Sequence, residues 1–299
     1  MSARALILAA LFAAGCTPQP APAPAPAAPS GKALAEACAG RDGWSDPAPP
    51  AKLYGNSYYV GTCGITAVLI DAPGGLILID GATEEAAPSI LANIRALGFD
   101  PASLRFILTT HEHLDHVGGV HAIKEATGAH VFARREAVRA LANGKPDATD
   151  PQRGGIPDFR GFVVARTIDD GEALRIADIE LTAHATPGHT PGGTSWTWKS
   201  CEGADCRTIA YIDSLSAVSA DGYRFSDHPD YVAMIRATIA KVPTLPCDIL
   251  LTPHPSASDL FARMKGDAPL AGGPDSCRAY ADAATKRLDD RLAKEATGK

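Results

Sequence analysis

Hydrophobic and polar positions change period several times along this chain, and each change marks an element. The runs TAVLIDA (66–72), LILIDGA (76–82) and FILTT (106–110) are nearly continuous in apolar residues, the pattern of strands buried on both faces. PGG joins the first two in a tight turn, and YGNSYYVG (54–61) and HVFA (130–133) read as further strands. Residues 84–98 carry helical spacing and end on glycine; 117–127 and 135–142 continue as helices. The segment 143–170 has no period. It holds Pro146, Pro151, Gly154, Gly155 and Pro157, and is read as a loop. Strand patterns return at 178–186, 194–200, 207–213 and 247–253, with helices over 229–242 and 276–295.

The strands thus fall into two clusters, one on each side of the 143–170 loop, each followed by helices. This predicts an α/β fold of two similar halves with their sheets face to face. No short-period repeat points to a solenoid.

The first residues follow a different rule. ALILAALFAA (5–14) follows Arg4 and is too short to span a bilayer, so residues 1–16 read as an export signal. AAGC, ending on Cys16, resembles a bacterial lipobox without the usual leucine three places before the cysteine. A membrane tether through lipidated Cys16 and plain secretion are the two readings. Residues 17–31 are Pro/Ala-rich, a composition that favours extended polyproline II and a semi-rigid linker. The folded domain is expected over 32–299, in the periplasm of a Gram-negative bacterium.

Composition adds exclusions. The chain is 45% hydrophobic and 21% charged, with a formal net charge of −6. Its Lys and Arg residues form no stripe, so neither nucleic acid nor a polybasic membrane contact is expected. No protein partner is implied, and a monomer is expected.

Export predicts oxidised cysteines. Six follow Cys16: Cys38, Cys63, Cys201, Cys206, Cys247 and Cys277. The pair in CEGADC (201–206) is close enough to clamp a hairpin loop. Proximity favours 38–63, 201–206 and 247–277. Thiolate zinc is the weaker reading, because no C-x-x-C pair occurs.

The candidate chemistry lies in ILTTHEHLDHVGG (107–119), which packs His111, His113, Asp115 and His116 just after a predicted strand. His189 in TPGHTPGG and His254 in LTPHPSA also follow strand ends, where loops gather at one sheet edge. A helical zinc protease needs histidines four apart, but His111 has Asp115 there. His111 and His113 instead alternate, so an extended loop aims both imidazoles one way, while Asp115 and His116 aim at a second point. A nitrogen-rich, oxygen-poor donor set suits zinc. Glu112 points away from the shared face and is read as backing the ligands or facing solvent. His121, His130, His184 and His228 are read as ordinary core or surface residues. Gly118 and Gly119 are read as permitting close backbone packing.

THEHLDHVGG resembles the HxHxDH signature of the metallo-β-lactamase superfamily, and TPGHTPGG and TPH follow in that family's order. YIDSLSA (211–217) and the Cys247/Cys277 pair resemble the third subclass of true metallo-β-lactamases. The resemblance runs from about Asp42 onward and implies a four-layer αββα sandwich. It implies two Zn2+ per chain, with His111, His113 and His189 holding the first and Asp115, His116 and His254 the second. Ser214 stands where the other subclasses use a cysteine ligand. The implied activity is hydrolysis of the β-lactam amide of penicillins, cephalosporins and carbapenems by a zinc-bound hydroxide that Asp115 orients. Such an activity confers antibiotic resistance. Ser214 and Ser216 match positions that bind the substrate carboxylate. The 143–170 loop and the 44–58 region are expected to border the cleft.

Rival readings remain within the superfamily. Thioesterases and lactonases share the motif, and many use an aspartate that bridges both metals, for which Asp213 is the candidate. A zinc-carrying lipoprotein without activity is the non-enzymatic alternative.

Overall fold

The computed structural model describes residues 29–297. The expected leader, Cys16 and nearly all of the linker lie outside the described residues. Ser30 caps the first helix, α1 (Gly31–Ala37), by accepting a hydrogen bond from Ala33 N.

The first half continues through β1 (Ala51–Tyr54), β2 (Ser57–Tyr59), β3 (Val68–Ile70), β4 (Leu76–Ile79), α2 (Ala87–Ala96), β5 (Leu104–Leu108), α3 (Leu114–Val117), α4 (Val120–Thr127), β6 (His130–Arg134), α5 (Val138–Asn143) and β7 (Arg166–Ile168). The seven strands form one sheet in sequence order, antiparallel from β1 to β4 and parallel from β4 to β7. The second half holds β8 (Ala173–Ile176), β9 (Ile179–Ala185), β10 (Thr194–Glu202), β11 (Asp205–Tyr211), α6 (Pro229–Lys241), β12 (Ile249–Leu251), α7 (Leu260–Lys265) and α8 (Pro274–Ala296). Its five-stranded sheet runs β12-β11-β10-β9-β8.

Several elements differ from the sequence reading. The single strand expected at 54–61 is a hairpin, because Gly55 turns the chain with φ +54°. β1 and β8 are too short to show a period, and β7 lies inside the segment read as loop.

The strand period explains the layers. Ile77 and Ile79 of β4 face the second sheet and pack in one core with Trp196, Trp198, Ile209, Tyr211 and Leu251. Leu76 and Leu78 face the other way, against Ile90 and Ile94 of α2 and Val120 and Ile123 of α4. Ala210 and Leu250 turn outward to Ile235 and Ile239 of α6 and Ala284 and Leu288 of α8. The result is the expected sandwich: helices, sheet, sheet, helices. Each fully buried Ile or Leu contributes roughly 1.5–3 kcal/mol, so the two-sided cores dominate stability.

Polar ties cross between the sheets. Trp196 Nε1 donates to Thr109 O at 3.0 Å, Trp198 Nε1 to Ser57 Oγ at 3.0 Å, and Tyr211 Oη to Thr66 O at 2.8 Å. The three disulfides are Cys38–Cys63, Cys201–Cys206 and Cys247–Cys277, as proximity favoured. No helix among the described residues is long and apolar enough to cross a membrane.

Candidate metal centre

Four strand ends deliver the site. β5 ends at Leu108 and leads into His111, His113, Asp115 and His116; β9 ends at Ala185, before His189. β11 leads to Ser214 and Ser216, and β12 to His254. β9, β11 and β12 run in the same direction, so their ends share one edge. Thr194 N donates to Thr110 O at 2.7 Å, which joins this edge to that of the first sheet.

Ligand atoms of His111, His113 and His189 all lie within 4.8 Å of one another, and so do those of His111, Asp115 and His116. Asp115 Oδ2 is 3.1 Å from His116 Nε2 and 3.4 Å from His254 Nε2. The six expected residues therefore converge. All are buried except His254, whose side chain is 34% exposed.

The opposite edge of four of the five imidazoles is hydrogen-bonded. His111 Nδ1 meets Asp213 Oδ1 at 2.7 Å, His113 Nε2 meets Asp150 Oδ2 at 2.9 Å, and His254 Nδ1 meets Gly64 O at 3.1 Å. His189 Nδ1 meets Ser216 O at 3.0 Å and Ser216 Oγ at 2.9 Å. These contacts hold each ring and leave its other nitrogen for the site.

Asp80 supports His116 from behind, with Oδ2 3.5 Å from Nδ1. Thr110 N and Oγ1 each donate to Asp80 at 2.7 Å, and Tyr211 Oη donates at 3.2 Å. Asp80 adopts φ +62°, a conformation that costs roughly 1–2 kcal/mol for an L-residue. The hydrogen bonds to its carboxyl hold it there. Gly118 and Gly119 pack as expected: a Cβ would stand 2.5 Å from Leu114 O and 2.2 Å from Gly81 O respectively.

Electrostatics divides the donors. Burial, reinforced by the neighbouring imidazoles, drives the pKa of His111 and His189 well below the ordinary histidine value, so both are neutral with free lone pairs. Burial opposes charge on Asp115, but His116 and His254 outweigh it and hold that carboxyl well below the usual range. Burial likewise opposes charge on His116, yet Asp115 and Asp80 push it up to about 10. Burial raises both Glu112 and Asp213 to about 7.

Three ring nitrogens test the fit of a metal: His111 Nε2 and both nitrogens of His116 are buried without a hydrogen-bond partner. Buried polar atoms are seldom left so, because each costs about 1–3 kcal/mol. Cations held by the two ligand groups would satisfy His111 Nε2 and His116 Nε2, and a nitrogen-rich set with one carboxylate suits zinc.

Ser214 and Ser216 stand at the rim with their hydroxyls 2.9 Å apart. Gln152 Nε2 lies 3.3 Å from His189 Nε2, which places the 143–170 loop at the site. Trp44 is 41% exposed, with its ring centroid 6.4 Å from that of His254. Tyr58, at the other end of the 44–58 region, instead packs edge-on against Phe99, away from the cleft.

Glu112 does not face solvent. It is fully buried and backs the ligands. Asp213 does not stand between the two ligand groups. One of its oxygens holds the far edge of His111, so the bridging role is not its position here. Asp80, Asp150 and Gln152 were not singled out by sequence. Asp80 closes the strand run LILID, a usable signal, but the other two lie in an aperiodic loop.

The metallo-beta-lactamase superfamily model matches residues 60–202. The metallo-β-lactamase MIM-1 from Novosphingobium pentaromativorans is 51% identical over 89% of this chain and 99% of that one, with a TM-score of 0.87. MEM-A1, a subclass B3 metallo-β-lactamase isolated from a soil metagenome library, is 41% identical over 86% of this chain and all (100%) of that one, with a TM-score of 0.80. This chain belongs to the subclass B3 metallo-β-lactamases. Similarity also extends to the hydroxyacylglutathione hydrolase GloC of Haemophilus influenzae, 33% identical over 91 residues. That match covers 30% of this chain and 42% of the relative, and the chain spans about half or less of the length of the curated relatives it matches.

Proposed function

We propose that this chain hydrolyses the amide bond of β-lactams, namely penicillins, cephalosporins and carbapenems, and thereby confers antibiotic resistance. The observation that carries this reading is the convergence of six buried or half-buried ligands beside the Ser214–Ser216 rim in a subclass B3 chain. His111, His113 and His189 would hold one zinc ion, and Asp115, His116 and His254 a second. Bound zinc supplies a Lewis acid for the carbonyl and lowers the pKa of water to roughly 7.

The chain's own residues do the rest. Asp115 stays ionised across neutral pH, accepts a hydrogen bond from the attacking water and orients it toward the carbonyl carbon. As the C–N bond breaks, the water's oxygen stays on carbon, one of its protons ends on the released nitrogen and the other leaves to solvent as the new carboxyl group ionises. His189 Nδ1–H donates to Ser216, and the Ser214 and Ser216 hydroxyls bond each other, which leaves one hydroxyl proton for the substrate carboxylate. Gln152 and Trp44 border the cleft and offer an amide and an apolar ring. No serine nucleophile is required.

The leader pattern and three disulfides support an oxidising compartment, the periplasm, with a lipid tether through Cys16. Incorporation of a palmitate probe into wild type but not Cys16→Ser would support the tether, and labelling of neither would remove it.

The test is absorbance-followed hydrolysis of a penicillin, a cephalosporin and a carbapenem, with a glutathione thioester beside them. Loss of hydrolysis with EDTA and its return with zinc is the expected result. A folded, zinc-loaded chain that cleaves only the thioester would shift the assignment to the hydroxyacylglutathione hydrolase class.

A further inference from the structure

Glu112 stands between two ligand histidines, yet its side chain reaches across to the loop that carries the third. Oε2 accepts from Thr190 Oγ1 and Oε1 from Gly192 N, both at 2.8 Å. Thr190 is the residue next to His189. A Cβ at Gly192 would lie 2.6 Å from Glu112 Oε2 and 2.5 Å from Ala137 Cβ, so the approach requires glycine.

The connection spans the two halves. His111 and His113 follow β5 of the first sheet, and His189 follows β9 of the second. Residues 187–193 form neither helix nor strand, and Gly188 adopts φ +146°. This loop therefore has little internal structure to place His189. Among the bonds from the first half to this loop, Thr194 N to Thr110 O at 2.7 Å and Arg134 Nη1 to Gly193 O at 3.1 Å grip its far end, and Gln152 Nε2 touches the His189 ring at 3.3 Å. Glu112 grips the residue beside the ligand. Burying a carboxyl group is costly, and two well-placed donors offset that cost.

We propose that Glu112 is a positioning residue that sets His189 against His111 and His113, and so sets the metal affinity of the three-histidine group. The proposal rests on the zinc reading above. Glu112→Gln keeps both bonds, because its amide oxygen accepts from Gly192 N and its NH2 donates to Thr190 Oγ1. Glu112→Ala removes both, and Thr190→Val removes one.

The experiment measures zinc affinity by competition with a chromophoric chelator, resolving the two zinc equivalents of the full chain. In Glu112→Ala, one equivalent is expected to weaken about 10- to 100-fold while the other holds. Glu112→Gln should stay within about threefold of wild type, and Thr190→Val should weaken the same equivalent about 3- to 10-fold. A folded Glu112→Ala with wild-type affinities, or a Glu112→Gln as weak as Glu112→Ala, overturns the proposal. If Glu112→Ala does not fold, unchanged affinity in Thr190→Val overturns it instead. A wild type that takes up no zinc overturns the metal reading, and the positioning role with it. A wild type that binds as well as every variant overturns the positioning role alone.

Discussion

Asp150 Oδ2 accepts a hydrogen bond from His113 Nε2 at 2.9 Å, with both side chains closed to solvent. Gln152 N donates to the other carboxyl oxygen at 2.7 Å. One aspartate thus fixes the tautomer of a ligand and the path of the loop that borders the cleft.

Replacing Asp150 by Ala is expected to cost about 10- to 100-fold in zinc affinity or kcat/KM, the usual effect of losing the partner behind a metal-binding histidine. Asp150→Asn keeps an acceptor and should lose less. Equal losses in both variants, measured by titration and steady-state kinetics, would show that charge and not orientation matters.

Asp213 makes the corresponding contact behind His111, at 2.7 Å. Asp213→Asn preserves an oxygen for Nδ1–H, so two zinc equivalents should remain, with a modest fall in affinity. Metal analysis after dialysis checks this. Loss of a whole equivalent would return Asp213 to the bridging role.

Glu295 near the end of α8 accepts from Phe225 N at 3.1 Å, Ser226 N at 2.8 Å and Arg291 Nε at 2.6 Å. Burial opposes its charge, but Arg291 and the two N–H groups prevail and hold the carboxyl at about 2, against an ordinary 4.5. A depressed folded pKa stabilises above the unfolded value, and the contribution fades as pH falls from 4.5 toward 2. Glu295→Gln should therefore cost about 1.5–3 kcal/mol at pH 7 and progressively less below pH 4.5. Urea unfolding of both chains between pH 3 and 7 measures it; a gap independent of pH would contradict the assignment.

The Cys247–Cys277 disulfide closes a separation of 30 residues between β12 and α8. Loop-closure entropy puts the cost of replacing both cysteines by Ala at about 3–4 kcal/mol. The Cys201–Cys206 pair spans a separation of 5 at an exposed hairpin end, for about 2 kcal/mol, and its loss should leave catalysis unchanged. Unfolding midpoints that rank the two the other way would show that strain or denatured-state structure dominates.

The sequence by itself determined what is local. Apolar runs such as LILID specify strands buried on both faces, because side chains alternate along a strand whatever it packs against. The spacing of His111 and His113 aims both rings one way for the same reason, so the donor set and its metal class were legible before any fold. Short separations along the chain only favoured the cysteine pairs, and the family resemblance added support for Cys247 with Cys277. Short or bent elements were not legible: β1 and β8 are too brief to show a period, and Gly55 breaks what reads as one strand.

Only the tertiary structure decided which groups stand behind the ligands. Asp213 lies 102 residues from His111, and Asp150 lies 37 from His113 inside an aperiodic loop. Glu112 read equally well as backing the ligands or as facing solvent until the His189 loop closed over it. Hydrogen bonds of this kind have no local pattern. They exist because two sheets, packed through an apolar core, bring distant strand ends to one edge, and the burial of each imidazole then demands a partner.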